Sequence, residues 1–268
     1  MLIGFTEPVP KVFHFYMQQK KIIFLASDCE SSRWVYNALE VDFNVETVII
    51  EQPISKKTLI KSRIKKAGLF SVIGQIMFSA LVVPLLKLKA KKRKAALIHQ
   101  FQLNSNGFIR SKIYGVSSVN SEGCLSALLL LQPDIIIVNG TRIINKAILQ
   151  ATKATFINMH AGITPMYRGS HGGYWALYNN DAKNFGTTIH LIDAGVDTGA
   201  VLKQVFTMPE KQDNFTTYSI LQAAIGIAAL KDVLPEIISG KYNAVQHTEK
   251  GKMYYQPTLW QYVIGRIK

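Results

Sequence analysis

The sequence predicts an α/β protein with an open, mostly parallel sheet and helices on both faces. Residues 21–27 and 45–50 are short apolar runs rich in β-branched side chains, and the residues between them have helical character through position 39. A strand, a helix and a second strand within about thirty residues form a βαβ unit, whose two strands are parallel. Residues 135–138 are all apolar, which is typical of a strand covered on both faces.

The same alternation continues towards the C-terminus. Ser121 can cap a helix that ends before Pro133, and a strand, a helix and a strand follow at residues 134–138, 142–151 and 154–158. Together these elements predict a Rossmann-like architecture, in which the crossovers are right-handed and ligands bind at the carboxyl edge of the sheet.

The last third of the chain adds two strands and a long helix. Residues 186–206 contain two β-rich segments around a glycine-rich turn. Residues 215–238 predict a helix packed on the sheet, because they are rich in alanine and no charged residue lies between Asn214 and Lys231. After residue 240 we expect a tail with a short helix and a hairpin.

The composition predicts one main domain. The 268 residues are 48% hydrophobic, which is enough for one large core, and we divide the chain into an N-terminal extension at 1–20, a domain at 21–240 and a tail at 241–268. Acidic and proline residues at 1–20 interrupt the apolar block that an export signal needs. The two cysteines, Cys29 and Cys124, form neither a disulfide framework nor a zinc pattern, so we expect a reducing compartment, and the cytoplasm fits best.

Positive charge is concentrated in one segment. The formal net charge is +14, and twelve of the 31 basic residues lie at 56–94, on either side of an uncharged run at 67–86. Basic and aromatic residues are not interleaved there, which disfavours a nucleic-acid partner. The run is long enough to cross a bilayer, for which about 20 apolar residues suffice, but Ser71, Gln75 and Ser79 would form a polar stripe along a helix. We keep three interpretations of this helical insertion: packing on the domain or on a dimer partner, an in-plane membrane contact and, least favoured, a membrane span.

Polar residues follow the strand predicted at 154–158. Residues 158–173 read NMHAGITPMYRGSHGG, and in an open parallel sheet the loops after the strands form the active site. If the strand continues to His160, the side chains of Asn158 and His160 project from the same face. An amide donor beside an imidazole can stabilise an oxyanion and transfer a proton during acyl transfer. The alternative is structural, with Asn158 capping the loop and His160 a hydrogen-bonded core histidine.

A carboxylate can return to this histidine from a later loop. Asp193 and Asp197 flank Gly195 in the segment IDAGVDTG. A tight loop there could place one carboxylate against His160, where it would orient the ring, set its tautomer and favour its charged form. We favour Asp197, which lies deeper in the turn. The alternative is that both aspartates only shape the turn.

Spacing disfavours other kinds of site. His160, His171 and His190 have no carboxylate or cysteine at the spacing of a zinc motif, so we expect no metal. Arg168 stands where the nucleophile elbow of a serine hydrolase needs glycine. Residues 26–30 after the first strand contain two acids and no glycine, which argues against an NAD or P-loop nucleotide site.

The motifs between about residues 131 and 204 occur in a specific order. The positions that define them are Asn158, His160, Pro165, Tyr167, Arg168, Gly169, Gly186, Thr188, His190, Asp193, Gly195, Asp197 and Gly199. This order resembles the folate-dependent formyltransferase family, which includes glycinamide ribonucleotide formyltransferase, methionyl-tRNA formyltransferase and the sugar N-formyltransferases. The resemblance implies a Rossmann-like enzyme that uses 10-formyltetrahydrofolate and no metal, with Asn158, His160 and Asp197 as catalytic residues.

The resemblance also implies a pterin pocket beside these residues. In such a pocket, apolar walls hold the faces of the ring while main-chain groups read its edges. The residues that the resemblance assigns to it are Ile137, Val138, Asn139, Gly140, Thr141, Arg142 and Ile143 from the preceding strand and turn, with Asp193 and Gly195 from the later loop.

The sequence departs from the family pattern in the loop after His160 and in features that bear on the identity of the formyl acceptor. Ala161 and Gly162 stand where the family commonly has proline after the histidine, which predicts a less rigid loop. The ribonucleotide enzyme has a glycine loop that binds phosphate after its first strand, and the acidic residues at 26–30 are poorly suited to that task. The methionyl-tRNA enzyme has a C-terminal barrel, for which the chain after Gly240 is too short.

By elimination we expect formyl transfer to a primary amine of a nucleotide-linked amino sugar, in the synthesis of a surface glycan such as lipopolysaccharide. The alternatives are a glycinamide ribonucleotide formyltransferase and a non-catalytic, membrane-associated binding protein of the same fold.

Overall fold

A computed structural model of the chain describes residues 20–249 and 251–267. The extension predicted at 1–20 lies outside the described residues, except for Lys20. The strands in the described part are β1 Ile22–Ser27, β2 Val45–Glu51, β3 Ile113–Val116, β4 Ile135–Asn139, β5 Thr155–His160, β6 Tyr167–Gly169, β7 Gly186–Leu191, β8 Val201–Phe206 and β9 Lys252–Tyr254.

Seven of these strands form the central sheet, in the order β3, β2, β1, β4, β5, β7, β8. The first five are mutually parallel, whereas β7 runs antiparallel to β5 and β8 antiparallel to β7. Along β1, Ile22 and Phe24 enter one core and Ile23 and Leu25 the other, because successive side chains of a strand point to opposite faces. The predicted mostly parallel sheet, buried on both faces, is confirmed.

Helices cover the two faces of the sheet. They are α1 Glu30–Asp42, α2 Lys56–Ala67, α3 Leu69–Met77, α4 Val83–Lys89, α5 Lys91–Gln100, α6 Glu122–Leu131, α7 Lys146–Leu149, α8 Gly172–Tyr178, α9 Phe215–Ile238 and α10 Leu259–Ile267. Helices α1 and α9 contribute to the core on one face, and α6 and α7 to the core on the other.

The long helix α9 confirms the prediction for residues 215–238. Asn214 caps it, since its side chain accepts a hydrogen bond from the Thr216 N–H at 2.9 Å and the Thr217 hydroxyl accepts one from the Asn214 N–H at 2.9 Å. Leu230 and Leu234 are fully buried. Burial of this apolar face fixes α9 against β7 and β8.

Two segments differ from the prediction. The helix expected at 142–151 spans only Lys146–Leu149. Arg142 lies outside it because its backbone N–H and its guanidinium donate to the Glu51 carboxylate at 2.8 and 2.9 Å. The tail also differs from the expected hairpin, since β9 pairs in parallel with the distant β6, and the short helix α10 follows it.

Helices α2 to α5 contain the basic and apolar segment. Helix α3, a π-helical turn at Phe78–Val82 and α4 follow one another without a break. The stretch Leu69–Lys89 is long and apolar enough to cross a membrane, and 22% of its most apolar window is buried in the protein. Gln75, from the predicted polar stripe, is buried together with Val72 and Phe78. One side of this segment therefore packs on the domain.

Candidate active site

The candidate site lies where β5 faces β7, whose antiparallel register places Asn158 opposite His190. The His160 side chain is buried, and both of its nitrogens have neighbours: Nε2 lies 2.8 Å from the Tyr167 carbonyl oxygen, and Nδ1 lies 3.5 Å from Oδ2 of Asp197. Because a carbonyl oxygen can only accept, Nε2 carries the proton of the neutral ring. Nδ1 is then unprotonated and faces the carboxylate.

The Asn158 amide is oriented by His190. Its Nδ2 lies 3.1 Å from Nε2 of His190, and Nδ1 of His190 lies 2.7 Å from the Leu191 carbonyl oxygen. The carbonyl requires a proton on Nδ1, so Nε2 accepts from the Asn158 amide. The amide nitrogen has two hydrogens, so the second can donate a hydrogen bond to a ligand in the cleft that Asn158 lines.

The loop between β7 and β8 turns Asp197 towards the histidines. Asp197 has φ +51°, and its Oδ2 accepts a hydrogen bond from the Gly169 N–H at 2.8 Å. Asp193 has a different task, because its Oδ1 accepts from the Gly195 N–H at 2.9 Å and from the Thr198 hydroxyl at 2.7 Å. Asp193 therefore closes the turn, and Asp197 is the carboxylate that reaches the site.

Burial controls the charge states of this pair. Burial lowers the pKa of His160 below its ordinary value of 6.5, and this outweighs the Asp197 carboxylate and the Tyr167 carbonyl, which raise it. Burial by itself would raise the pKa of Asp197, but the two neighbouring imidazoles, His190 at 3.7 Å and His160 at 3.5 Å, and the Gly169 N–H together lower it to about 2.

At neutral pH a neutral His160 thus faces an ionised Asp197. The expectation from the sequence is that the carboxylate favours the charged ring. In the structure the net direction is the opposite, because the imidazole is enclosed by protein and its charged form loses hydration.

A cleft of about 750 Å³ opens over these side chains. It is lined by seven of the nine residues that the resemblance assigns to a pterin pocket, namely Val138, Gly140, Thr141, Arg142, Ile143, Asp193 and Gly195. Ile137 and Asn139 do not line it, which corrects the prediction for these two side chains. Ile137 is buried in the core on the other face, and Asn139 Oδ1 accepts from the Ser32 hydroxyl at 3.0 Å. Both differ from Val138 because side chains alternate across a strand.

Several cleft residues were given no role in binding or catalysis by the sequence-based prediction, and three of them carry polar groups that matter for the site. His190 is one of the motif positions, but the only role considered for it was that of a metal ligand, whereas in the structure it orients Asn158. A prediction that β5 pairs with β7 could have indicated the contact between His190 and Asn158, since directly opposed residues of paired strands contact each other. Arg63 and Lys66 of α2 also line the cleft, and no local signal indicates this, because the packing of α2 decides it. In the described residues, no group of three or more His, Cys, Asp or Glu side chains is placed to hold a metal ion.

The loop after His160 is closely packed at Gly162. A Cβ on Gly162 would lie 2.4 Å from the Tyr167 carbonyl oxygen and 2.7 Å from Nε2 of His160. The Gly162 N–H donates to the His160 carbonyl at 2.9 Å. Glycine at this position therefore lets the backbone approach the imidazole closely enough for the Tyr167 carbonyl to bind it.

Comparison with known proteins identifies the family. A family model described as formyl transferase matches residues 74–222, which is more than half of the chain and includes Asn158, His160 and Asp197. The chain belongs to the formyl transferase family. Related curated proteins include methionyl-tRNA formyltransferases from Thermodesulfovibrio yellowstonii, 31% identical over 142 residues, and Methylacidiphilum infernorum, 28% identical over 130 residues. These matches cover 53% and 48% of this chain but only 45% and 40% of the relatives, so the chain spans less than half of their length.

Solved structures of formyl transferases share the fold. A sugar N-formyltransferase from a Shewanella species superposes with a TM-score of 0.55 at 16% identity, covering 87% of this chain and 76% of that one. A 4-N formyltransferase from Francisella tularensis gives 0.55 at 16% identity, with 89% and 76% covered. Glycinamide ribonucleotide transformylase 1 from Symbiobacterium toebii gives 0.55 at 14% identity, with 85% and 94% covered. These likenesses confirm the Rossmann-like architecture, and because the Shewanella and Symbiobacterium proteins are named for different acceptors, the fold leaves the acceptor open.

Proposed function

We propose that this formyl transferase moves a formyl group from 10-formyltetrahydrofolate to a primary amine of a nucleotide-linked amino sugar, in the cytoplasm, for the synthesis of a surface glycan. The observation that carries the proposal is the convergence of Asn158, His160 and Asp197 at the carboxyl end of β5, in one cleft. An amide donor, a neutral imidazole and an ionised carboxylate are the groups that acyl transfer to an amine requires.

The cleft fits a pterin-bearing co-substrate. Val138, Ile143 and Met253 provide apolar walls, and Gly140 and Thr141 bring backbone groups to the same space. Such a combination suits a flat ring with apolar faces and polar edges. The folate supplies the formyl carbon bonded to a nitrogen that can leave.

His160 and Asp197 handle the proton of the reaction. As the amine nitrogen bonds to the formyl carbon, its proton passes to Nδ1 of His160, which is free in the neutral ring. The ionised Asp197, 3.5 Å away, stabilises the imidazolium that results. The ring then returns the proton to the folate nitrogen as the bond between that nitrogen and the formyl carbon breaks. The free N–H of Asn158 donates to the formyl oxygen while that oxygen carries negative charge.

Two cations support an acceptor that carries phosphate. Arg63 and Lys66 line the cleft that contains His160, and neither has an acidic partner among the residues that the structure describes. Unpaired guanidinium and ammonium groups bind phosphate oxygens. The loop after β1 has no glycine, and its acids Asp28 and Glu30 are paired with Arg33 and Lys94, so it offers no comparable site for a phosphate. A nucleotide-linked amino sugar combines a free amine with phosphate groups and fits this distribution of charge.

Incubation with 10-formyltetrahydrofolate and separate amines tests the proposal. The amines are a panel of amino-sugar nucleotides and glycinamide ribonucleotide, and mass spectrometry measures the formylated product. We expect product from at least one amino-sugar nucleotide and none from the ribonucleotide. Product from the ribonucleotide alone would refute the acceptor, and folate binding without product from any amine would refute the enzyme in favour of a binding protein.

Matched variants test the role of the two cations. Arg63→Gln and Lys66→Gln should each raise KM for the sugar nucleotide by roughly tenfold, as expected for the loss of one charged hydrogen bond. Lys65→Gln is the control, because Lys65 is an exposed neighbour on α2 outside the cleft lining. An equal KM in all three variants would show that the cleft does not use these cations.

A further inference from the structure

Helices α3 and α4 leave a continuous apolar face uncovered. Its large side chains are between 38% and 72% exposed, and they recur every three or four residues, which places them on one side of the helical segment. We call this surface the α3–α4 face, and its members are Leu69, Phe70, Ile73, Ile76, Met77, Leu81, Leu85 and Leu88.

The opposite side of the same helices is fixed to the domain. Phe78 is fully buried, with its ring centroid 4.9 Å from that of Phe215 and 5.0 Å from that of Tyr262. The Asn214 amide donates to the Leu86 carbonyl at 3.2 Å. A membrane span would break these contacts, so the face can meet a membrane only by lying parallel to its surface.

Helix α10 adjoins the face and adds to it. The Trp260 ring stacks on Phe70 with centroids 4.4 Å apart. Gly74 allows this approach, because a Cβ there would lie 2.2 Å from the Trp260 ring. Helix α10 exposes further apolar side chains, namely Val263, Ile264 and Ile267.

The segment that carries the face has exposed lysines at both ends and contains no acidic residue. No aspartate or glutamate occurs between Glu51 and Glu122. Apart from Lys66 of the cleft, eight lysines before and after the face are exposed and form no ion pair within the described part of the chain: Lys56, Lys57, Lys61, Lys65, Lys87, Lys89, Lys91 and Lys92. Charge complementarity therefore calls for a partner that is apolar in its middle and anionic around it.

We propose that the α3–α4 face docks in the plane of an anionic membrane surface. A helical segment of this length extends about 30 Å, its apolar side chains enter the boundary between headgroups and acyl chains, and the lysines at both ends reach anionic headgroups. A second copy of the chain fits less well, because two-fold pairing of a face that is basic at both ends sets lysines against lysines.

Docking would hold the cleft near the membrane. Helix α2 leads directly into the face and carries Arg63 and Lys66, which line the cleft. The docking itself does not depend on the proposed reaction, so binding to lipid can be measured without any substrate.

Vesicle flotation of the full chain tests the proposal. Phosphatidylcholine vesicles are compared with vesicles that also contain phosphatidylglycerol, at low salt and at about 0.5 M NaCl, where screening shortens electrostatic reach to about 4 Å. We expect the protein to float with the anionic vesicles at low salt, and binding to fall by at least about tenfold at high salt or on neutral vesicles.

Two variants separate the apolar and the charged contributions. A quadruple change of Phe70, Leu81, Leu85 and Leu88 to glutamine, and a second quadruple change of Lys87, Lys89, Lys91 and Lys92 to glutamine, should each lower vesicle binding by at least about tenfold. All eight side chains are solvent-exposed, and Phe70 is the one whose ring contact, with Trp260, is lost, so circular dichroism should remain close to wild type and the melting temperature should fall only slightly.

The matched control is Val41→Gln with Leu130→Gln, which removes two exposed apolar side chains, 78% and 84% exposed, outside the α3–α4 face. This variant should bind vesicles as wild type does. Equal binding of wild type to neutral and anionic vesicles would overturn the proposal. So would absence of vesicle binding, including the case in which light scattering shows a wild-type dimer that the Phe70, Leu81, Leu85 and Leu88 variant dissociates, since a second copy would then cover the face.

Discussion

Replacing Asp197 with asparagine removes one charge and keeps the shape of the side chain. In the wild type the Gly169 N–H donates to the Asp197 carboxylate at 2.8 Å, and the amide oxygen of asparagine can still accept this hydrogen bond. The neutral amide cannot balance a positive charge on His160. Two unit charges 3.5 Å apart attract by about 4 to 5 kcal/mol at an effective dielectric constant of ~20. Losing this attraction in the transition state lowers turnover on the order of a thousandfold. We expect folate binding to persist.

The same change has a smaller effect on stability. The pKa of Asp197 is lowered from 3.8 to about 2, and a lowering of this size stabilises the fold by about 2 kcal/mol. A depressed carboxyl pKa stabilises above its unfolded value of 3.8, and the contribution disappears as the pH falls from there towards 2. Because domains commonly have about 5–15 kcal/mol of stability, the variant should stay folded at neutral pH.

Steady-state kinetics across pH, with folate binding and thermal melting as controls, measure these effects. The Asp197 carboxylate raises the pKa of His160, so its removal should also shift the acid limb of kcat/KM to lower pH. A folded Asp197→Asn protein with wild-type turnover and an unchanged acid limb would show that Asp197 only shapes the turn.

Further changes act on the same cluster. Asn158→Ala and His160→Ala should each lower kcat by about 100-fold or more, because each removes a group that acts on the oxyanion or the proton; near-normal kcat in both variants, at unchanged folate binding, would contradict the mechanism. Gly162→Ala should lower the melting temperature and kcat, because its Cβ would meet Nε2 of His160 at 2.7 Å, whereas Gly107→Ala, with nothing within 4 Å, should change neither. The lowered pKa of His160 places its own contribution to the acid limb of wild-type kcat/KM below 6.5, and an inflection above that value that does not move with the pKa of the acceptor amine would refute the assignment. Since the unfolded chain binds this proton more readily, unfolding free energy should also decrease in urea melts as pH falls below 6.5.

Local patterns in the sequence were sufficient to predict the main strands and helices and the position of the candidate active site. The apolar run at 21–27 became β1 and the uncharged stretch at 215–238 became α9, because periodicity and capping depend on neighbours along the chain. The Asn158 and His160 side chains reach one cleft because a strand repeats every two residues. Strand alternation also applies to Ile137 and Asn139, and it could have removed both from the predicted pocket.

Tertiary packing decided the chemistry of the cluster and the exposure of the basic segment. Asn158 meets His190, 32 positions away, only through the register of β5 and β7. Burial from all sides sets the direction of the His160 pKa against the attraction of the carboxylate. From the sequence alone, the uncharged run at 67–86 is long enough to span a membrane. In the structure, packing of Phe78 on α9 holds one side of this run on the domain, and the α3–α4 face stays exposed. Burial and pairing between distant segments set these outcomes, because desolvation and hydrogen-bond partners depend on everything that surrounds a group and not on its neighbours along the chain.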